Sequence, residues 1–206
     1  KKLYFAAIAP EYIVGLAIGT RPDCLGDDVI ELLSEINKIK PVTIELGLQT
    51  IHDETAEYIN RCYKTSVFDD AVARLKKENL EVVVHMIIGL PFETKEMIIE
   101  TARHIGRSGA DGIKFHLLYV LENTRLCEEY IKGVFKTLER EEYVDILEEC
   151  ISVIPENMIV HRLTGDPPKA ELIAPLWSAD KKSVLNYINK RFKEDRLIQG
   201  SKYKAP

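Results

Sequence analysis

The sequence predicts an α/β fold in which parallel strands are joined by helical crossovers, a (βα) barrel that is incomplete. Three observations predict it. Short β-branched runs alternate with stretches of helical periodicity, which makes neighbouring strands parallel, because hairpins are not built through helices. The strands carry polar residues at alternate positions, namely Glu45 with Gly47 and Gln49, His85 with Ile87 and Gly89, and Lys114 with His116. A doubly wound sheet, covered on both faces, reads apolar throughout. With 206 residues, 46% of them hydrophobic, the chain can also bury a substantial single core.

The elements follow in order. The stretch YFAAIAPEY reads as the tail of a helix, and with no initiating methionine it predicts a piece of a longer protein that lacks the first strands. Val14 to Thr20 is a strand stopped by Arg21-Pro22, since proline has no N–H to continue a ladder. DDVIELLSEINKIK then places Val29, Leu32, Leu33 and Ile36 at helical spacing, with Asp27 and Asp28 where the helix dipole favours carboxylates. Val42 to Leu48 is the second strand. A short helix near Asp53 to Asn60 precedes another from Val67 to Lys77, with a stripe of Phe68, Ala71, Val72 and Leu75. EVVVHMII is the third strand, and Thr94 caps a helix through Arg107. DGIKFHLL is the fourth, a long helix spans Leu138 to Ile154, and Asn157 to Leu163 is the fifth. Two parts result: residues 1–165 as the C-terminal portion of a barrel and 166–206 as a helical extension. Val184, Leu185, Ile188 and Phe192 of that extension form an apolar stripe expected to cover the barrel bottom or an open sheet edge. An uncovered edge on the first strand predicts self-association, which a monodisperse monomer in sedimentation would contradict.

Composition narrows the function classes. The formal net charge is −5 with lysine and arginine dispersed, which gives no electrostatic signal for nucleic acid. No apolar run approaches the roughly 20 residues of a membrane helix, so a cytoplasmic location is expected. Cys24, Cys62, Cys127 and Cys150 lie far apart without a CxxC pair, which predicts reduced, packed thiols.

In parallel α/β folds ligands bind beyond the carboxyl ends of the strands. Gly19, Gly47 and Gly89 fall at such ends, where a missing side chain lets a flat ring lie against backbone. The run VHMIIGLPFET thus stops on Gly89 with His85 one turn of the pleat deeper. The simpler alternative is a tight turn ended by Pro91. Arg21 and Arg162 follow strands and Lys114 lies within one; such cations suit a carboxylate or phosphate, or else pair with Glu45 or Asp23. His85, His116 and His161 with Glu45 could instead hold a catalytic metal, although the His-x-His expected on an early strand of a barrel hydrolase is absent.

The succession GTRPD, ELGLQT, NRCYKTSVFDDAVARLK, IIGLPFET and KFHLLYVLENTRL, in that order, resembles the radical S-adenosylmethionine enzymes, with TGDPP a weaker extension. Within them it is closest to a bacterial group of iron–sulfur oxidoreductases, related distantly to oxygen-independent coproporphyrinogen oxidases. The resemblance implies a partial TIM barrel, S-adenosylmethionine, a 4Fe-4S cluster held by a CxxxCxxC loop, an external electron donor and radical hydrogen abstraction from an unknown substrate. That cysteine loop is not in this sequence, so the chain is expected not to assemble the cluster or turn over by itself. The resemblance further implies that Gln49 and Arg61 meet the methionyl amino and carboxylate groups. It places His85 at the ribose and Ile88 and Gly89 at the adenine. Strand direction adds Arg21, Glu45, His116 and Arg162 as substrate-facing. The alternatives are the metal-dependent hydrolase and a nucleoside-binding module without catalysis.

Overall fold

The computed structural model describes residues 1–205. Its centre is a parallel sheet of strands β1 (Leu16–Thr20), β2 (Val42–Gln49), β3 (Glu81–Ile88), β4 (Gly112–Leu117) and β6 (Ile159–Arg162), in that spatial order. The order follows the chain without reversal. Because parallel crossovers share one hand, every connecting helix then lies on the same side, as in a partial barrel rather than a doubly wound sheet.

The helices are α1 (Lys2–Ile8), α2 (Asp27–Asn37), α3 (Asp53–Tyr58), α4 (Thr65–Lys77), α5 (Lys95–Arg107), α6 (Arg125–Ile131), α7 (Arg140–Val153) and α8 (Lys181–Glu194). Their inner faces meet the outward strand residues. Leu46, Leu48, Val84, Met86, Ile88 and Phe115 are fully buried there with Phe68, Val72 and Leu75 of α4, the stripe expected from its spacing. Each such side chain contributes about 1.5–3 kcal/mol relative to exposure. Thr94 caps α5 as expected, its side chain accepting from Met97 N–H.

Two features depart from the sequence reading. A two-stranded antiparallel pair, β5 (Val120–Leu121) with β7 (Leu172–Ala174), closes over the C-terminal side of the sheet. The apolar stripe of α8 packs on α7, with Val184 and Ile188 buried, so it covers neither the barrel bottom nor a sheet edge. β1 pairs only with β2. Among the described residues no strand pairs with its other edge.

Strand β2 carries an irregularity between Gly47 and Gln49 against β3. Gln49 has φ of 68°, an unusual conformation for a side-chain-bearing residue. Bulges of this kind re-aim the side chain that ends a strand.

Candidate active site at the carboxyl ends of the strands

The inward positions of the sheet converge as the alternation predicts. Glu45 of β2, His85 of β3, and Lys114 and His116 of β4 form one polar cluster. Nζ of Lys114 lies 2.6 Å from Glu45 Oε2, and His85 Nε2 lies 2.9 Å from the same oxygen. His116 Nε2 is 3.2 Å from His85 Nδ1, with the rings stacked at 5.0 Å. Burial pushes the Glu45 carboxyl up, but the hydrogen bonds from Lys114 and His85 prevail and hold it below the usual range. Burial also lowers His85, against the opposing pull of Glu45. His116 is lowered to about 4 by burial and then by its cationic neighbours. Both imidazoles are therefore neutral near pH 7.

Above the cluster a cavity of about 560 Å³ opens at the strand ends. Arg21, Gly47, Gln49, Arg61 and Tyr63 line one side, and Ile87, Leu90, Leu118 and Leu126 the other. A larger depression of about 1030 Å³ lies between α2 and α4, lined by Asp27, Glu31, Glu35, Lys38 and Lys77. It sits among surface charges on the outer helical face, far from where βα folds do chemistry, and the functional site is placed at the strand ends.

The cavity residues differ in what they have left to offer. Arg61 is buried, and every N–H of its guanidinium is spent. Nε donates to Tyr63 O, Nη1 to Leu48 O and Thr50 O, and Nη2 to Asp53 and Thr65 Oγ1. The fork assigned to a ligand carboxylate thus pins the loop after β2. Arg21 gives Nε and Nη2 to Asp23 in a two-point ion pair, one of the alternatives read from the sequence. Tyr63, which the sequence reading overlooked, donates to Gly47 O and lies 4.7 Å from the Arg61 guanidinium and 5.9 Å from that of Arg21. Gln49 differs. Its amide enters no hydrogen bond with the described residues, and Nε2 lies 2.9 Å from where a Cβ on Gly47 would sit. A Cβ at position 47 would displace the flexible end of this amide.

The Ile88 side chain is fully buried in the helical layer, and its carbonyl accepts from Leu118 N–H; Ile87 lines the cavity instead. Gly89 has φ of +89°, and an added Cβ would meet Leu138 Cδ1 at 2.9 Å. The positive φ and the contact with the Leu138 side chain, in the loop before α7, both favour glycine here. Arg162 is exposed beyond the cluster. His161 folds over Gly112, with Nε2 2.6 Å from the position of a Cβ there, outside the Glu45–His85–His116 network.

A parallel partial barrel with a polar concave face and a cavity at its strand ends defines a (βα) barrel protein with its cavity at the rim where such folds place ligands. Along the chain, the model of the Radical SAM superfamily matches residues 2–105 and that of the Radical_SAM C-terminal domain residues 110–194. The chain belongs to the radical SAM superfamily. Uncharacterized protein YtqA of Bacillus subtilis (strain 168) is 40% identical over 200 residues, covering 97% of this chain and 62% of its own length. Protein YhcC of Escherichia coli (strain K12) is 32% identical over 207 residues, covering 100% of this chain and 67% of its own. The chain thus spans about two thirds of these relatives. Among solved structures, the archaeal Methanocaldococcus infernus Elp3 matches with a TM-score of 0.79 at 24% identity, over 90% of this chain and 43% of that one, a likeness of fold.

The cofactors of the superfamily are S-adenosylmethionine and a 4Fe-4S cluster. The residues here do not fit the cluster. Cys24 and Cys62 are exposed and Cys127 and Cys150 buried, and burial pushes the Cys150 thiol up, away from the thiolate a metal requires. Among the described residues no group of three or more His, Cys, Asp or Glu side chains is arranged to hold a metal. The hydrolase alternative finds no ligand set in these residues. Among the described residues, no helix is long and apolar enough to cross a membrane.

Proposed function

We propose that this chain supplies the S-adenosylmethionine-binding strand ends and the substrate face of a radical enzyme whose cluster is held by residues other than its own. The observation that carries this reading is Gln49. It is held by a bulge at a strand end, kept over the cavity by Gly47, and its donor and acceptor are both uncommitted. An amide of that kind can donate to a carboxylate and accept from an ammonium, the two groups of a methionyl terminus. Arg61 supports it indirectly by fixing the loop that follows, and Ile87 with Leu118 provides the apolar wall. Bound S-adenosylmethionine supplies a carbon-centred radical for hydrogen abstraction in this family. The chain's own part is to orient ligands and exclude water. His85, Glu45, His116 and Arg162 face the substrate, which comes with an external electron donor in the whole protein.

The test is anaerobic reconstitution of the whole gene product carrying this chain with iron and sulfide, followed by S-adenosylmethionine and a reductant. 5′-Deoxyadenosine is expected, falling about tenfold or more in Gln49→Leu, the scale of one or two hydrogen bonds to charged groups. Absence of both cluster and deoxyadenosine would remove the radical reading. Unchanged deoxyadenosine in the variant would remove Gln49 from the site.

A further inference from the structure

The polar cluster on the concave face has a direction. A carboxylate can only accept hydrogen bonds, so the Glu45 contact makes Nε2 the protonated nitrogen of His85. In the neutral ring Nδ1 of His85 is then bare and accepts from Nε2–H of His116. Nδ1 of His116 is left bare in turn, and it has no hydrogen-bond partner among the described residues. Arg162 lies on the neighbouring strand β6. β-Register pairs Arg162 with Lys114, and its charge acts on both histidines. Unlike Arg21 and Arg61, it makes no hydrogen bond or ion pair with the described residues.

We propose that His116, His85 and Glu45 form a one-way proton relay serving an anionic ligand that binds Arg162 and presents an acidic X–H group to Nδ1 of His116. The X–H bond breaks with its electron pair left on X, and the proton forms a new N–H bond at Nδ1 of His116. The Nε2 proton of His116 passes to Nδ1 of His85. His116 ends neutral in its other tautomer, and His85 ends as an imidazolium paired with Glu45. One negative charge has appeared on X, facing Arg162, and one positive charge on His85, facing Glu45. Glu45 itself stays ionised because Lys114 holds it so. His116 is the group that touches the ligand; His85 and Glu45 are positioning and storage residues, much as a buried carboxylate steadies an imidazolium in hydrolytic triads. This rests on the proposed function only in placing the substrate on the concave face.

The test is NMR of the chain labelled with ¹⁵N in histidine, and it needs neither cluster nor S-adenosylmethionine. At pH 7 both rings are expected neutral with the proton on Nε2. On acidification the first proton is expected to appear as a His85 imidazolium while His116 switches to its Nδ1–H form, against the charges facing the rings, Glu45, Lys114 and Arg162. In Glu45→Gln this order is lost. Inorganic phosphate at pH 6, an anion that carries a P–O–H, is the probe. It is expected to shift His116 saturably and at least tenfold more weakly in Arg162→Gln. A His116 that carries its proton on Nδ1 at pH 7, or a phosphate response equal in Arg162→Gln, overturns the proposal. Either result is independent of deoxyadenosine formation, so the two readings fail separately.

Discussion

Replacing Arg61 by alanine is expected to lower stability by about 3–5 kcal/mol, the cost of removing one member of a buried, hydrogen-bonded charge network. The guanidinium side of its pair with Asp53 is only 2% exposed. Its loss removes the side-chain donor to the carbonyls of Thr50 and Tyr63 and one of two donors to that of Leu48. Arg61→Lys should restore only part of this, because an ammonium cannot reproduce a planar five-donor fork. Urea denaturation measures it, and a loss below about 1 kcal/mol would show that the loop does not depend on this residue. The same variant separates two roles that sequence motifs merge, since a ligand clamp would change binding and leave the midpoint alone.

Stability is also expected to fall as pH drops from about 6.5 to 4. His116 is pushed down to about 4 in the folded chain against about 6.5 for a free imidazole, so the unfolded chain binds the proton first across that window. Stability therefore rises with pH there. His85, shifted in the same direction, adds to it. Discounted for the partial exposure of the cluster, the loss is on the order of 1–2 kcal/mol. Glu45, held low by Lys114 and His85, adds a further loss only as pH falls below its unfolded value. Thermal melts in buffers from pH 7 to 4 check the prediction, with His116→Gln expected to flatten the curve above pH 4.5. An equally steep curve in that variant would place the acid sensitivity elsewhere.

The strands were legible because alternation has a period of two and leaves its mark over a few residues. EVVVHMII, read as a strand, is β3 from end to end. The same alternation put His85, Ile87 and Gly89 on one face, and Ile87 lines the cavity while the Ile88 side chain is buried. The pairing of Arg21 with Asp23 and of Lys114 with Glu45 was open as an alternative to ligand binding. Sequence spacing cannot decide between them, because the choice depends on side-chain reach across neighbouring strands. β5 and β7 have two and three residues, too few for any periodicity to show. The capture of Arg61 by three carbonyls left no trace either, since backbone acceptors are the same at every position.

Strand β2 also acts as a ruler. Glu45 and Gln49 are four residues apart on one face, which is about 13 Å along an extended strand, less whatever the irregularity at Gly47 takes up. One rigid element therefore fixes the separation of Gln49, proposed to meet the cofactor, from Glu45, proposed to pair with the stored proton. Lengthening β2 by one residue between them would turn one of the two side chains into the core.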